Sequence, residues 1–185
     1  VSVIRPLAVV VAAILHFQPT MAASRARSYA ELVQKESEKR TIDPLTIVAI
    51  IGHESWWVSS AVDGTDAIGL GQHRLSNYPE CQKEPDGEAC AARRRRLLDP
   101  FENILATSAA ISTWRRFCRA HTGHALFHHW LAGYQGLGGS AGHWCGQDFV
   151  HGRWRDRPVG DPTRQVMRLR RRLVERYAHP HRRST

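Results

Sequence analysis

Apolar residues recur at helical spacing along most of the chain and strict alternation is rare, so the pattern predicts a mainly α protein. Tyr29, Leu32 and Val33 mark the buried stripe of a helix capped by Ser28 and running to about Arg40. Asp43-Pro44 opens a second helix to about Ser55, the Asp oxygen accepting free amides while Pro fills the first turn without losing a bond. Asp99-Pro100 repeats the device ahead of a helix to about Phe117, with Ile104, Ser108 and Ile111 on one face. A shorter helix is predicted over His124 to Leu131, stopping at Gly133, Gly136, Gly138 and Gly139. A last one starts near Thr163, with Val166, Leu169, Leu173 and Tyr177 opposite many arginines. Gln72 to Leu98, with Pro79, Pro85 and Gly87, reads as loop, and strands are not expected.

With 185 residues and 42% hydrophobic content, the chain has room for one compact domain. Its net charge of +9 points to a polyanionic partner without choosing among nucleic acid, lipid and wall polymers. Arg5, the apolar run Leu7 to Leu15 and the small residues Ala22 and Ala23 form a signal-peptide layout, too short to span a bilayer at roughly 20 residues. The expected organisation is therefore a leader over 1–23, a domain over 24–180 and a basic tail over 181–185, in a periplasmic or secreted protein with no stable membrane span after cleavage. Export makes two disulfides the expected state of Cys81, Cys90, Cys118 and Cys145. Three pairings are possible; the short loop favours Cys81 with Cys90, leaving Cys118 with Cys145.

Glu54 lies three, four and seven positions after Ile51, Ile50 and Ile47, on the apolar stripe of its helix. A carboxyl held against aliphatic side chains loses hydration, which favours its protonated form and suits a general acid. Glycosidases make their acid this way. The bland alternative is a surface residue turned into solvent at the helix end.

The surrounding motifs select between these. Glu54-Ser55 is followed by Ala67-Ile68-Gly69-Leu70-Gly71-Gln72, then by Asp99-Pro100 with Asn103-Ile104, and then by Ala132-Gly133-Tyr134-Gln135-Gly136. This ordered set, within residues 28–178, resembles the lytic transglycosylases, which carry Glu-Ser, Gly-Leu-Met-Gln, Asp-Pro-x-x-Asn-Ile and Ala-Tyr-Asn-Ala-Gly segments. The resemblance implies a lysozyme-like α fold with a groove for peptidoglycan glycan strands. It implies Glu54 as the single catalytic acid/base, cleavage of the MurNAc-GlcNAc β-1,4 bond with formation of 1,6-anhydromuramic acid, and no cofactor. Ser55, Gln72, Tyr134 and Gln135 become substrate-binding or supporting residues, while Gly69 and Leu70 shape a turn. Envelope or secretion-apparatus proteins are the further partners such a domain would serve. The chain departs from the family at Gly71, where Met is usual, at Gln135, where Asn is usual, and at Val166, where an aromatic is usual.

Two other readings differ in class. A goose-type muramidase would need a second carboxylate to activate water, and Asp63 and Asp66 are the nearby candidates. A non-catalytic peptidoglycan-binding protein would keep affinity without Glu54. Of Trp56 and Trp57, at least one is expected in the core and the other is open to stacking on a sugar ring; Trp130, Trp144 and Trp154 are read as packing. His121, His124, His128, His129 and His143 are irregularly spaced, with His124 and His128 read as a wet helix face, so no metal site is expected. Arg93 to Arg96 and the arginines from Arg164 to Arg183 suit acidic wall polymers or a solvated face, and no nucleic-acid motif accompanies them.

Overall fold

A computed structural model describes residues 5–64, 66–123, 126–135 and 145–178. The chain forms two compact units, one of Val1–Ser108 with Arg172–Thr185, the other of Ala109–Arg171. The architecture is mainly α. Among the described residues, no helix is long and apolar enough to cross a membrane.

The first unit is built on three packed helices, α1 (Leu7–Phe17), α2 (Ala23–Arg40) and α3 (Pro44–Ser55). Helix α3 starts as expected: Asp43 accepts from the Leu45 amide at 3.1 Å and Pro44 occupies the first turn. Its residues from Pro44 to Gly52 are all buried, which makes it the central helix of the unit. Helix α2 begins five residues before the expected cap. Ser28 is inside it, its hydroxyl donating to the Ser24 carbonyl, because the polar stretch before Ser28 continues the helix without a break. Tyr29 and Val33 are buried as the stripe predicts, and Leu32 is half-buried.

The apolar run read as a leader is helix α1. Val10, Ala13, Ile14 and Phe17 are buried, and the helix packs on α2 and α3. Arg5 bonds the Asp43 carboxylate at 3.1 Å, the same carboxylate that caps α3. The Phe17 ring lies over Gly52; a Cβ at Gly52 would stand 2.4 Å from it, so a side chain there would displace the ring or part the helices.

The segment from Gln72 to Leu98 corrects the expectation of a loop. It holds a 3₁₀ turn, Leu75–Asn77, and two helices, α4 (Pro79–Lys83) and α5 (Glu88–Leu98). Pro79 is tolerated because it sits in the first turn of α4. The Cys81–Cys90 disulfide joins α4 to α5, as favoured, and with Ile68, Leu75 and Leu97 it forms a small separate core. Strands also occur, against expectation. Among the described residues there are two short antiparallel pairs: β1 (Ala67–Ile68) with β2 (His73–Arg74), and in the second unit β3 (Gln147–Val150) with β4 (Arg153–Asp156).

In the second unit, helix α6 (Pro100–Thr122), which starts in the first unit, extends five residues past its expected end. Asp99 caps it by accepting from the Glu102 amide, and Ile104, Ser108 and Ile111 are buried on one face as predicted. Helix α7 spans Phe127–Tyr134 and passes through Gly133, later than the stop expected from the glycines. The β3–β4 hairpin turns on His151 and Gly152, both at positive φ (50° and 75°), the pairing that suits a two-residue turn between twisted strands. The Cys118–Cys145 disulfide ties α6 to the chain entering β3, completing the favoured pairing. Helix α8 (Asp161–Leu173) begins two residues before Thr163, and a π-helical turn, Val174–Ala178, follows it. Val166 and Leu173 are buried on the predicted stripe. His124, Gly136 to Gly139, His143, Trp144 and the tail 181–185 lie outside the described residues.

Candidate active site

Glu54 is on the last turn of α3 and half-buried, at the point where an otherwise buried helix meets solvent. His53 beside it is pushed below the ordinary histidine range by burial, so it is neutral near pH 7. The Ser55 hydroxyl is buried and donates back to the Ile51 carbonyl at 3.3 Å, bracing the final turn that carries the Glu.

The chain leaves α3 through two successive tryptophans at positive φ, Trp56 at 54° and Trp57 at 61°. Bulky residues rarely adopt this conformation, and tertiary contacts must hold it. They do so unequally. Trp57 is buried, donates its indole N–H to the Val48 carbonyl at 3.2 Å and stacks on Tyr29. Trp56 is 63% exposed, its ring roughly perpendicular to that of Phe17 with centroids 5.9 Å apart. One tryptophan is therefore core and the other is largely open to solvent.

From there a relay of hydrogen bonds joins two of the sequence motifs. The Val58 amide donates to the Ser55 carbonyl and the Ala61 amide to the Val58 carbonyl. The Ala61 carbonyl then receives the Gly69 amide at 2.8 Å and the Gln72 side-chain amide at 3.3 Å. Gln72, itself at positive φ (48°), also donates to the Gly69 carbonyl at 2.9 Å. Its amide nitrogen thus braces the loop.

Asn103 joins the third motif to the second. It is fully buried on the second turn of α6. Its Oδ1 accepts from the Gly71 amide at 2.7 Å, and its Nδ2 donates to the carbonyls of Leu97 at 2.7 Å and Ile68 at 3.3 Å. A Cβ on Gly69 would sit 2.2 Å from Asn103 Nδ2 and 2.3 Å from the Leu97 carbonyl, and φ there is +71°. Glycine is required at this position on both counts. The separation in sequence hid what the fold makes plain: the Gly69–Gln72 turn and the Asp99–Asn103 helix opening are halves of one hydrogen-bonded bracket. Asn103 is the residue whose role sequence reasoning missed, although its motif was visible.

Of the two carboxylates considered for water activation, Asp66 is engaged structurally. Burial opposes its ionisation, but bonds from the Ser76 hydroxyl (2.6 Å) and amide, the Leu75 amide and the charge of Arg74 together hold it below the usual carboxylate range. His73 is held neutral by burial, down to about 4, with Nε2 3.1 Å from Thr107 Oγ1.

In the second unit, Tyr134 ends α7 and is half-buried. Gln135 follows it, its Oε1 accepting from the Thr163 hydroxyl at 2.8 Å, which fastens α7 to the start of α8. Of the two histidines read as a wet face, His124 lies outside the described residues and His128 is only partly exposed. His129 is buried and His128 half-buried, and both direct Nε2 at the Asp156 carboxylate of β4. His121 is exposed and stacks on Phe117. In the arginine-rich segments, Arg93 pairs with Glu80 and covers the Tyr78 ring, Arg96 pairs with Glu102, Arg164 with Asp161, and Arg170 covers Phe127. Part of that charge is therefore structural.

Membrane-bound lytic murein transglycosylase C of Yersinia enterocolitica serotype O:8 / biotype 1B is 33% identical to this chain over 98 residues. The aligned region is 53% of this chain but 27% of that protein, so the chain spans about a quarter of the length of this relative. No solved structure matches. The family model described as Transglycosylase SLT domain matches residues 31–139, a stretch that contains Glu54-Ser55, the Gly69–Gln72 turn, Asn103 and Tyr134-Gln135. That match covers more than half of the sequence, and the chain belongs to the transglycosylase SLT domain family.

Proposed function

We propose that this protein is a peptidoglycan lytic transglycosylase with Glu54 as its acid/base, acting at the cell wall as a periplasmic or secreted enzyme. The observation that carries the reading is the position of Glu54. A carboxylate rides half-buried on the last turn of a buried apolar helix, braced by Ser55 and linked through the following loop to Gln72.

In the proposed reaction the protonated Glu54 gives its proton to the glycosidic oxygen between MurNAc and GlcNAc as the C1–O bond breaks. The resulting carboxylate takes the proton of the muramic C6 hydroxyl, whose oxygen bonds to C1. The products are a free 4-hydroxyl and a 1,6-anhydro ring; Glu54 ends protonated and no water is consumed. Because one carboxyl makes both transfers, no second catalytic carboxylate is needed. The commitment of the Asp66 carboxylate to Ser76 leaves Asp63 as the nearby carboxylate a hydrolase would have to use. The exposed ring of Trp56 is proposed as a stacking surface for a sugar ring. Gln72, Tyr134 and Gln135 are proposed to bind the glycan. Envelope or secretion-apparatus proteins are proposed as further partners.

The test is release of soluble fragments from purified peptidoglycan. Wild-type protein is expected to release them, Glu54→Gln to release none, and Asp63→Asn/Asp66→Asn to retain activity. Activity surviving Glu54→Gln would overturn the assignment, and loss in the double Asp variant as well as in Glu54→Gln, with both variants still folded, would make the protein a muramidase.

A further inference from the structure

We propose that His128, His129 and Asp156 form a binding site for a divalent transition-metal cation, with zinc the ion their donors suit best. This goes beyond the glycan-cleaving reading and does not depend on it.

The three side chains come from helix α7 and strand β4, brought together although Asp156 follows His129 by 27 residues. His129 Nε2 is 2.9 Å from Asp156 Oδ1, and His128 Nε2 is 3.6 Å from Asp156 Oδ2. The three donor groups lie within 4.8 Å of one another. Tetrahedral zinc, with bonds of about 2.0–2.1 Å, separates neighbouring ligand atoms by about 3.3 Å; the two nitrogen–oxygen separations, each to a different oxygen of the carboxylate, lie on either side of that value. Adjacent residues on a helix point about 100° apart, so two neighbouring imidazoles aimed at one carboxylate are not a product of helix geometry alone. The rings instead meet edge to face, with centroids 4.2 Å apart. A plain ion pair would have needed one histidine.

The surroundings supply what a coordinating set requires. Buried Gln147 donates to Asp156 Oδ1 at 2.7 Å, the oxygen that His129 also meets, and so orients the carboxylate as outer-shell groups do in metal sites. The hairpin that carries Asp156 is anchored by the Cys118–Cys145 disulfide and by the Arg157 amide bonded to the Gly146 carbonyl at 2.9 Å. The Asp156 side chain is 52% exposed, and His128 also borders a cleft of about 400 Å³ lined by Ala132, Gly146, Arg157, Val159 and Thr163. Two imidazoles and a carboxylate with an open side leave a fourth position for water or an incoming ligand. Nitrogen donors with a single oxygen select zinc-like ions over calcium or magnesium.

The experiment is isothermal titration of ZnCl₂ into tag-free protein in chelator-treated buffer near pH 7, with Co²⁺ absorption as a second readout of coordination. One equivalent of zinc is expected to bind, and Co²⁺ to give the intense visible bands of a tetrahedral site. Asp156→Asn and His128→Gln should each weaken binding at least tenfold. Gln147→Ala, which touches no ion, should weaken it roughly 10- to 100-fold. Absence of a one-equivalent site in the wild-type protein overturns the proposal. So does binding that Asp156→Asn and His128→Gln leave unchanged, since the ion would then sit on other histidines. Neither readout uses peptidoglycan, so failure of the metal site and failure of the glycan-cleaving reading are separate results.

Discussion

Replacing Asn103 with Ala should be among the most damaging single changes in the first unit. The Asn side chain is fully buried and satisfies the Gly71 amide and the Leu97 carbonyl, each at 2.7 Å, with a longer bond to Ile68. Alanine removes both ends of the amide and leaves two buried backbone groups without the partner they have now. Each such loss costs about 1–3 kcal/mol, so the pair amounts to about 2–6 kcal/mol. For a chain of this length that corresponds to a melting temperature lower by roughly 5–20 °C. Asn103→Asp discriminates further. It keeps an acceptor for Gly71 but turns an oxygen toward two carbonyls, so it should rescue little. Thermal and urea unfolding followed by circular dichroism measure both. A loss below about 1 kcal/mol for Asn103→Ala would refute the bracket between the Gly69–Gln72 turn and α6.

Other consequences are open to equally direct tests. Gly52→Ala puts a methyl group against the Phe17 ring and should destabilise by about 1–3 kcal/mol, read as a shift in the urea midpoint; an unchanged midpoint would mean that α1 is not packed there. Helix α1 lies within the expected leader, and its buried face packs on α2 and α3. Removal of residues 1–23 should lower the urea midpoint yet leave a cooperative unfolding transition, as the export reading requires, whereas loss of that transition would count against cleavage there. Cys118→Ala/Cys145→Ala frees a crosslink spanning 27 residues and should cost about 3–4 kcal/mol on a loop-closure account, measured as the difference in urea unfolding. His73 is neutral in the fold, down to about 4, but takes up a proton near 6.5 when unfolded. Its contribution to stability is thus complete above about pH 6.5 and lost as pH falls toward 4. His73→Gln should flatten that part of the stability–pH curve, and a curve of unchanged slope would count against it.

Much of this fold was legible because local chemistry and tertiary packing agree. Asp43-Pro44 and Asp99-Pro100 open helices where the capping argument puts them, and the apolar stripes of α3 and α6 are the buried faces. The misreadings occurred where long-range contacts decide. Pro79, Pro85 and Gly87 punctuate residues 72–98 as a loop would, yet a disulfide and Leu97 gather the segment into short helices around a separate core. The β3–β4 hairpin carried a sequence signal, His151-Gly152 between two four-residue runs, but its strands are too short to assert a period of two against helical neighbours. At the candidate active site, Glu54, Ser55 and Gln72 could be named from motifs. What those motifs could not reveal was that Ser55 and the Gln72 amide brace backbone, that Trp57 and not Trp56 is core, or that Asn103 ties the turn down. These depend on which carbonyl is nearby, information that exists only after folding.

The central claim, that Glu54 drives cleavage without water, is tested most directly by the mass of the fragments released from purified peptidoglycan. The account predicts muropeptides one water lighter than hydrolysis products, ending in an anhydro sugar and absent with Glu54→Gln. Reducing-end fragments of full mass from the wild-type protein would contradict it.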